Sequence, residues 1–221
     1  MIQAMIFDMD GVLFDTEQIL KDGWMDTGKK MGFSLGEDEL RQMRGGSAAL
    51  GTALFEKWYG GKINYMEARA MRSQYLENYL AHHSLPEKKG LKEILQYLQQ
   101  HKIPVAIATS TERERAASYW KMANITSLIT ASVCGDEVKN SKPDPEIFLT
   151  AAQKLHVPIE HCMVVEDSMN GLKAARSAGA YSCMIPDLTP YSEEFKPFCD
   201  NVLENLTALI PLLESLNDSR K

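Results

Sequence analysis

Two carboxylates stand two positions apart in the run Ile6-Phe7-Asp8-Met9-Asp10-Gly11-Val12-Leu13-Phe14-Asp15-Thr16. Directly before them, Met1 to Phe7 is an apolar run that reads as a short buried strand. Ionised acids at the end of a buried strand repel one another and lose hydration, which is costly. A bound divalent cation removes that cost, and hard oxygen ligands suit magnesium. A carboxylate held in such a place can also attack phosphorus and form an aspartyl-phosphate. A solvated turn with two acids has the same local spelling, so the pair decides nothing by itself.

The elements that must position these acids follow from the apolar pattern further along. From Thr16 to about His83 the chain is helical in character, with segments at Ile19 to Met31, Gly51 to Tyr59 and Tyr65 to Leu80. Glycines at 32, 36, 45, 46, 60 and 61 punctuate them, and His82 to Pro86 reads as a linker. Helix and strand then alternate. Leu91 to Gln100 is an amphipathic helix, Ile103 to Ala108 a buried strand and Glu112 to Met122 a helix. Leu128 to Val133, Met163 to Val165 and Tyr181 to Ile185 read as strands, with helices at Pro145 to Leu155 and Met169 to Ala178. Leu206 to Leu216 is a covering helix that Pro211 kinks or shortens. Such alternation implies an α/β fold with a doubly wound parallel sheet. The expectation is a core of residues 1–15 and 86–221, interrupted by a helical insertion of residues 16–85.

Composition narrows the class. The chain has 221 residues, 44% hydrophobic and 24% charged, an ordinary balance for a chain with a real core. A net charge of −6 argues against a nucleic-acid partner, which needs clustered Lys and Arg. It does not exclude an anionic substrate, because a metal and a few local cations can dominate a pocket. No apolar run is long enough for a membrane span, and no basic leader precedes an apolar stretch, so no membrane partner and a cytoplasmic address are expected. Cys134, Cys162, Cys183 and Cys199 form no close pair and read as reduced thiols.

Ligands of open parallel sheets bind beyond the carboxyl ends of the strands, so the polar residues after each apolar run matter most. After the first strand come Asp8 and Asp10; after Ala108 come Thr109, Ser110 and Thr111. Lys142 stands in Ser141-Lys142-Pro143-Asp144-Pro145, and Glu166, Asp167 and Ser168 follow Val165. Each piece has a plain alternative: Thr109 or Ser110 as a helix cap, Lys142 as a solvated loop lysine, Glu166-Asp167-Ser168 as an acidic helix start. Four segments delivering acids, hydroxyls and a lysine to one sheet edge are harder to explain separately.

Together these runs, with Gly135-Asp136-Glu137-Val138 and Met169-Asn170-Gly171, make the chain resemble the haloacid dehalogenase-like superfamily. It resembles most the branch with a helical cap after the first strand, which includes β-phosphoglucomutase and many sugar-phosphate phosphatases. The resemblance implies Asp8 as nucleophile and magnesium ligand, and Asp10 as general acid and base with its carbonyl on the metal. It further implies Thr109, Ser110 and Lys142 as phosphate holders, and Asp167 with Glu166 completing the metal shell, Glu166 directly or through water. In the cap, Gln42 to Ser47 resembles the substrate-facing loop, which makes Arg44, Gly45, Gly46 and Ser47 substrate-side candidates.

The chain departs from the mutase pattern at two places. Leu20 stands where β-phosphoglucomutases carry a histidine, and Ala48 stands near their cap-loop arginine, with Arg44 or Arg72 as possible substitutes. The expectation is therefore a magnesium-dependent phosphatase of a small phosphorylated metabolite, a sugar or polyol phosphate, working through an aspartyl-phosphate as a monomer. The alternative is a β-phosphoglucomutase-type mutase. Nothing marks Lys21 or Lys29 for Schiff-base phosphonate chemistry, and dehalogenation has no use for Asp10. The three tryptophans, Trp24, Trp58 and Trp120, read as packing residues, and no histidine is given a catalytic part.

Overall fold

The central strands of this protein are short and mostly apolar, and the computed structural model, which describes residues 1–218, shows why. Six strands form one all-parallel sheet in the order β3-β2-β1-β4-β5-β6. They are β1 (Ala4–Phe7), β2 (Val105–Ala108), β3 (Ala131–Val133), β4 (Cys162–Glu166), β5 (Tyr181–Met184) and β6 (Asn201–Val202). Helices cover both faces, so consecutive side chains of one strand enter different cores. Met5 and Phe7 of β1 pack with Leu91, Ile94, Leu95 and Leu98 of α5 (Leu91–Gln100), and with α6 (Arg113–Met122) and α9 (Leu209–Asn217). Ala4 and Ile6 face the other way, toward α7 (Glu146–Leu155) and α8 (Met169–Ala178), whose alanines allow close approach to the sheet.

Between β1 and α5 the chain inserts α1 (Glu17–Met31), α2 (Glu37–Met43), α3 (Ala48–Tyr59) and α4 (Tyr65–Leu80). These helices have an apolar cluster of their own. Phe55 sits at its centre, with ring centroids 5.0 Å from Tyr65, 5.2 Å from Tyr59, 5.4 Å from Phe33 and 5.7 Å from Trp24. The two crossings into the insertion run side by side. Asp15 N–H donates to the Pro86 carbonyl at 2.9 Å, and Lys88 N–H to the Leu13 carbonyl at 3.0 Å.

Several boundaries differ from the sequence reading, each for a local reason. β1 begins at Ala4, because Met1 and Gln3 are exposed. The strand read from Leu128 begins at Ala131, since Thr126–Leu128 closes a 3-10 turn. α3 begins at Ala48, where the Ser47 hydroxyl accepts from Leu50 N–H and caps the helix. α9 begins at Leu209, after a 3-10 turn over Leu206–Ala208, which puts Pro211 in the first turn, where its missing N–H costs nothing. α2 and β6 are absent from the sequence reading. α2 buries Leu40 alone, which leaves no apolar stripe to detect, and β6 is a two-residue edge strand. Among the described residues no helix is long and apolar enough to cross a membrane.

Because Phe55 packs against five aromatic rings, those four and Trp58, Phe55→Ala is expected to lower unfolding free energy by about 3–5 kcal/mol. Urea denaturation measures it; a loss below about 1 kcal/mol is incompatible with this cluster anchoring the four helices.

Candidate active site

In this strand order the connections leave β1 in opposite directions, so the crevice at the carboxyl ends of β1 and β4 is the topological switch point. Asp8 is the first residue past β1, and its N–H donates to the Val165 carbonyl at 2.9 Å, continuing the ladder by one position. Glu166 ends β4, and Asp167 follows. Ligand oxygens of Asp8, Glu166 and Asp167 lie within 4.8 Å of one another, all buried.

Lys142 reaches this cluster from the segment before α7. Its ammonium donates to Asp8 Oδ1 at 2.5 Å, Glu166 Oε1 at 2.6 Å and the Ala108 carbonyl at 3.1 Å. Burial works against the charged lysine, but Asp8 and then Glu166 outweigh it and hold its pKa above the ordinary value. Glu166 Oε2 accepts from the Asp167 and Ser168 N–H groups and from the Ser168 hydroxyl. Both Glu166 oxygens are therefore engaged within the protein. Burial raises the pKa of Asp8 well above the carboxylate range, with Lys142 opposing and Glu166 and Asp10 adding to it. Asp167 is raised as well, by burial first and then by Glu166 and Glu17. Three carboxylates share one ammonium, so two negative charges remain uncompensated. A divalent cation fits that deficit and that set of hard oxygens.

The backbone turn after Asp8 makes room for this. Gly11 has φ +84°, and a Cβ there would come within 2.5 Å of Asp167 Oδ2. Asp10 is aimed by two hydroxyls: Thr16 Oγ1 donates to Oδ1 at 2.5 Å and Thr111 Oγ1 to Oδ2 at 2.8 Å. Thr109 is buried past β2, its hydroxyl accepting from Thr111 N–H at 3.1 Å.

Above these groups the inserted helices close a cavity. Asp8, Asp10, Thr109, Ser110 and Thr111 form its floor; Glu17, Leu20, Lys21, Trp24, Tyr65, Arg69 and Arg72 line it with Arg44, Gly45 and Gly46. Core and insertion are joined directly. Ser110 Oγ donates to the Gly45 carbonyl at 2.9 Å, and Asn170 Nδ2 to the Arg44 carbonyl at 2.8 Å. Gly45 has φ +68°, and a Cβ there would strike the Ser168 hydroxyl at 2.2 Å. Arg44 spends its guanidinium internally, donating to Thr189 Oγ1 at 2.7 Å and Glu37 Oε1 at 2.6 Å. Ser47 does not line the cavity; it is the α3 cap described above. Trp24 lines the cavity as well as packing, unlike Trp58 and Trp120.

Glu17 and Thr111 are cavity groups that the sequence reading leaves without a part, and Arg72 enters it only as a possible substitute for the mutase cap-loop arginine. Glu17 opens α1 directly after the first crossing, so its nearness to Asp10 was available as a spacing signal. Arg72 faces inward only because α4 packs along α1, and no local pattern shows it.

The chain matches the family described as haloacid dehalogenase-like hydrolase over residues 5–185. It belongs to that family. The chain is 33% identical over 188 residues to a phosphorylated carbohydrates phosphatase of Thermotoga maritima, covering 80% of this chain and 82% of the relative. It is 27% identical over 208 residues to validoxylamine A 7'-phosphate phosphatase of Streptomyces hygroscopicus, covering 94% and 95%. A β-phosphoglucomutase of Clostridium difficile shares the fold at TM-score 0.83 and 21% identity, covering 97% of this chain and 96% of that one.

Burial, with the Asp10 charge adding and Arg44 opposing, pushes Glu17 up to about 7. A carboxyl raised above its unfolded value costs nothing at low pH, and the cost grows as pH rises from about 4.5 to 7. Glu17→Gln is therefore expected to stabilise the protein by up to about 3 kcal/mol near pH 8 and to be neutral near pH 4. Denaturation at both pH values checks it; a pH-independent difference contradicts the assignment.

Proposed function

We propose that the protein is a magnesium-dependent phosphatase of a small phosphorylated metabolite, a sugar or polyol phosphate. The observation that carries this reading is the Asp8, Lys142, Glu166 and Asp167 cluster, two charges short of neutrality, whose Asp8 lines a cavity floored also by Asp10 and Thr109. The inserted helices serve as a cap over the core, with the hydrogen-bonded segments at residues 13–15 and 86–88 as its hinge. The phosphatase relatives among similar chains support the same reading.

Magnesium would be held by the carboxylates of Asp8 and Asp167 and the Asp10 carbonyl, with Glu166 behind them, and would supply neutralising charge to phosphoryl oxygens. Glu166 serves mainly to hold Lys142 and the start of α8, since both its oxygens are occupied. Asp8 attacks phosphorus through the carboxylate oxygen that Lys142 leaves free, and the ester P–O bond breaks as the aspartyl-phosphate forms. Lys142 Nζ offsets the charge of nucleophile and phosphoryl group, and Thr109 and Ser110 hold the phosphoryl oxygens by hydrogen bonds. The leaving alkoxide takes a proton from the Asp10 carboxyl. A water molecule then gives its proton to Asp10 while its oxygen attacks phosphorus and releases Asp8.

Hydrolysis is preferred to mutase chemistry because Leu20 presents an apolar side chain to the cavity, and Ala48 does not line it. Neither can grip or shuttle a proton on a second phosphate. Asp8→Asn is expected to reduce phosphate release by on the order of 10³-fold or more, read with a panel of sugar phosphates and magnesium. Full activity in that variant ends the proposal.

Magnesium at a hundredfold excess over its Kd should stabilise the folded protein by about 2.7 kcal/mol. The gain should shrink as pH falls, because protons compete for Asp8 and Asp167, whose pKa values are raised. Thermal unfolding with and without magnesium reads this, and an equal gain in Asp167→Ala refutes the ligand set.

A further inference from the structure

Most charged groups around the cavity are already paired. Lys21 meets Glu37 at 2.7 Å, Arg69 meets Glu112 at 3.0 Å, and Arg44 is held by Glu37 and Thr189. Two groups are left over. Among the described residues Arg72 has no hydrogen bond or ion pair, its Nε is buried without a partner, and its guanidinium lies 5.2 Å from the centroid of the Trp24 ring. Glu17 accepts no hydrogen bond among them, and its one ion-pair contact is a long one, 3.8 Å to Arg44 Nε. No salt bridge joins Glu17 to Arg72, although each charge acts on the other.

An acceptor and a donor that face one cavity and do not meet select what can lie between them. An apolar group leaves both desolvated and unsatisfied, which is penalised. A second anion is repelled by Glu17, and an ammonium by Arg72. A hydroxyl suits both, since its oxygen accepts from a guanidinium while its proton is donated to a carboxylate. We propose that Glu17 and Arg72 are the specificity pair of this site, holding hydroxyls of a neutral, polyhydroxylated phosphate monoester between the cap helices and the phosphoryl floor. The inference rests on the phosphatase reading and narrows its substrate class: the organic part carries hydroxyls and no second charge. Trp24 is the surface against which Arg72 is fixed.

The test compares kcat/KM for glucose 6-phosphate with that for hexyl phosphate, which lacks hydroxyls, and for 6-phosphogluconate, which adds a distal carboxylate. The wild-type enzyme should prefer glucose 6-phosphate to hexyl phosphate by on the order of 10²-fold or more. Arg72→Met and Glu17→Leu should each cut that ratio at least about tenfold, and the double variant should cut it little further, because both hold one ligand. Arg72→Lys, which keeps the charge and loses the fork, covers the case in which Arg72→Met unfolds. Calorimetric binding of the same esters to the Asp8→Asn protein reads the pair without turnover. Release of phosphate with ratios unchanged in every variant overturns the pair and leaves the phosphatase intact. Preference for 6-phosphogluconate that vanishes in Arg72→Met overturns it in favour of a distal anion site. No release from any ester, with selective binding lost in the variants, sinks hydrolysis and retains the pair.

Discussion

The arrangement depends on an electrostatic debt at the ends of β1 and β4. Two adjacent parallel strands each deliver acids to one buried edge, and Lys142 is the only cation among the described residues that touches them. The lysine spans both sides of the debt, from Asp8 on one strand to Glu166 on the other. Buried charges of this kind contribute little net stability, and their value lies in the function they make possible. The folded chain holds the cluster because the sheet beneath it, with apolar side chains on both faces, supplies the missing free energy.

The same sheet edge explains why the inserted helices sit where they do. Their entry follows Asp15, and Thr16 at the crossing bonds Asp10, so the Asp10 carboxyl is tied to the segment through which the chain enters the helices. Gly45 meets Ser110, and Asn170 meets the carbonyls of Gln42 and Arg44. These contacts are polar and small, and polar contacts exchange with water at modest net free energy, which agrees with the proposed role of these helices as a cap.

The cavity divides into a floor and a roof with different demands. The floor must neutralise charge, and it uses acids, one lysine and hydroxyls whose positions are fixed by strand ends. In the proposed reading the roof distinguishes one organic group from another. Its groups from α1 and α4 have charges mostly cancelled by neighbouring acids, Lys21 by Glu37 and Arg69 by Glu112 of the core. Glu17 and Arg72 are the exception: neither side chain makes a hydrogen bond among the described residues, a cost that a bound hydroxyl offsets in the proposed reading.

The primary structure by itself determined the alternation of elements, and with it the parallel sheet, because a strand buried on both faces must be apolar throughout. It also determined which residues stand at the strand ends, and so placed Asp8, Thr109, Glu166 and Asp167 at one edge, with Lys142 joining them from the segment before α7. Element boundaries were blurred where a 3-10 turn or a serine cap overrode the apolar period, and α2 was invisible because it buries a single leucine. Only the tertiary structure decided what each polar side chain meets. Arg44, a candidate for the substrate, bonds Glu37 and Thr189, and Ser47 caps a helix. Arg72 is turned inward by the packing of α4 on α1. Periodicity reports which face of a helix is buried, whereas partners such as Arg44 and Thr189 or Lys142 and Asp8 lie more than a hundred residues apart in the chain, and only the packed fold brings them within 3 Å.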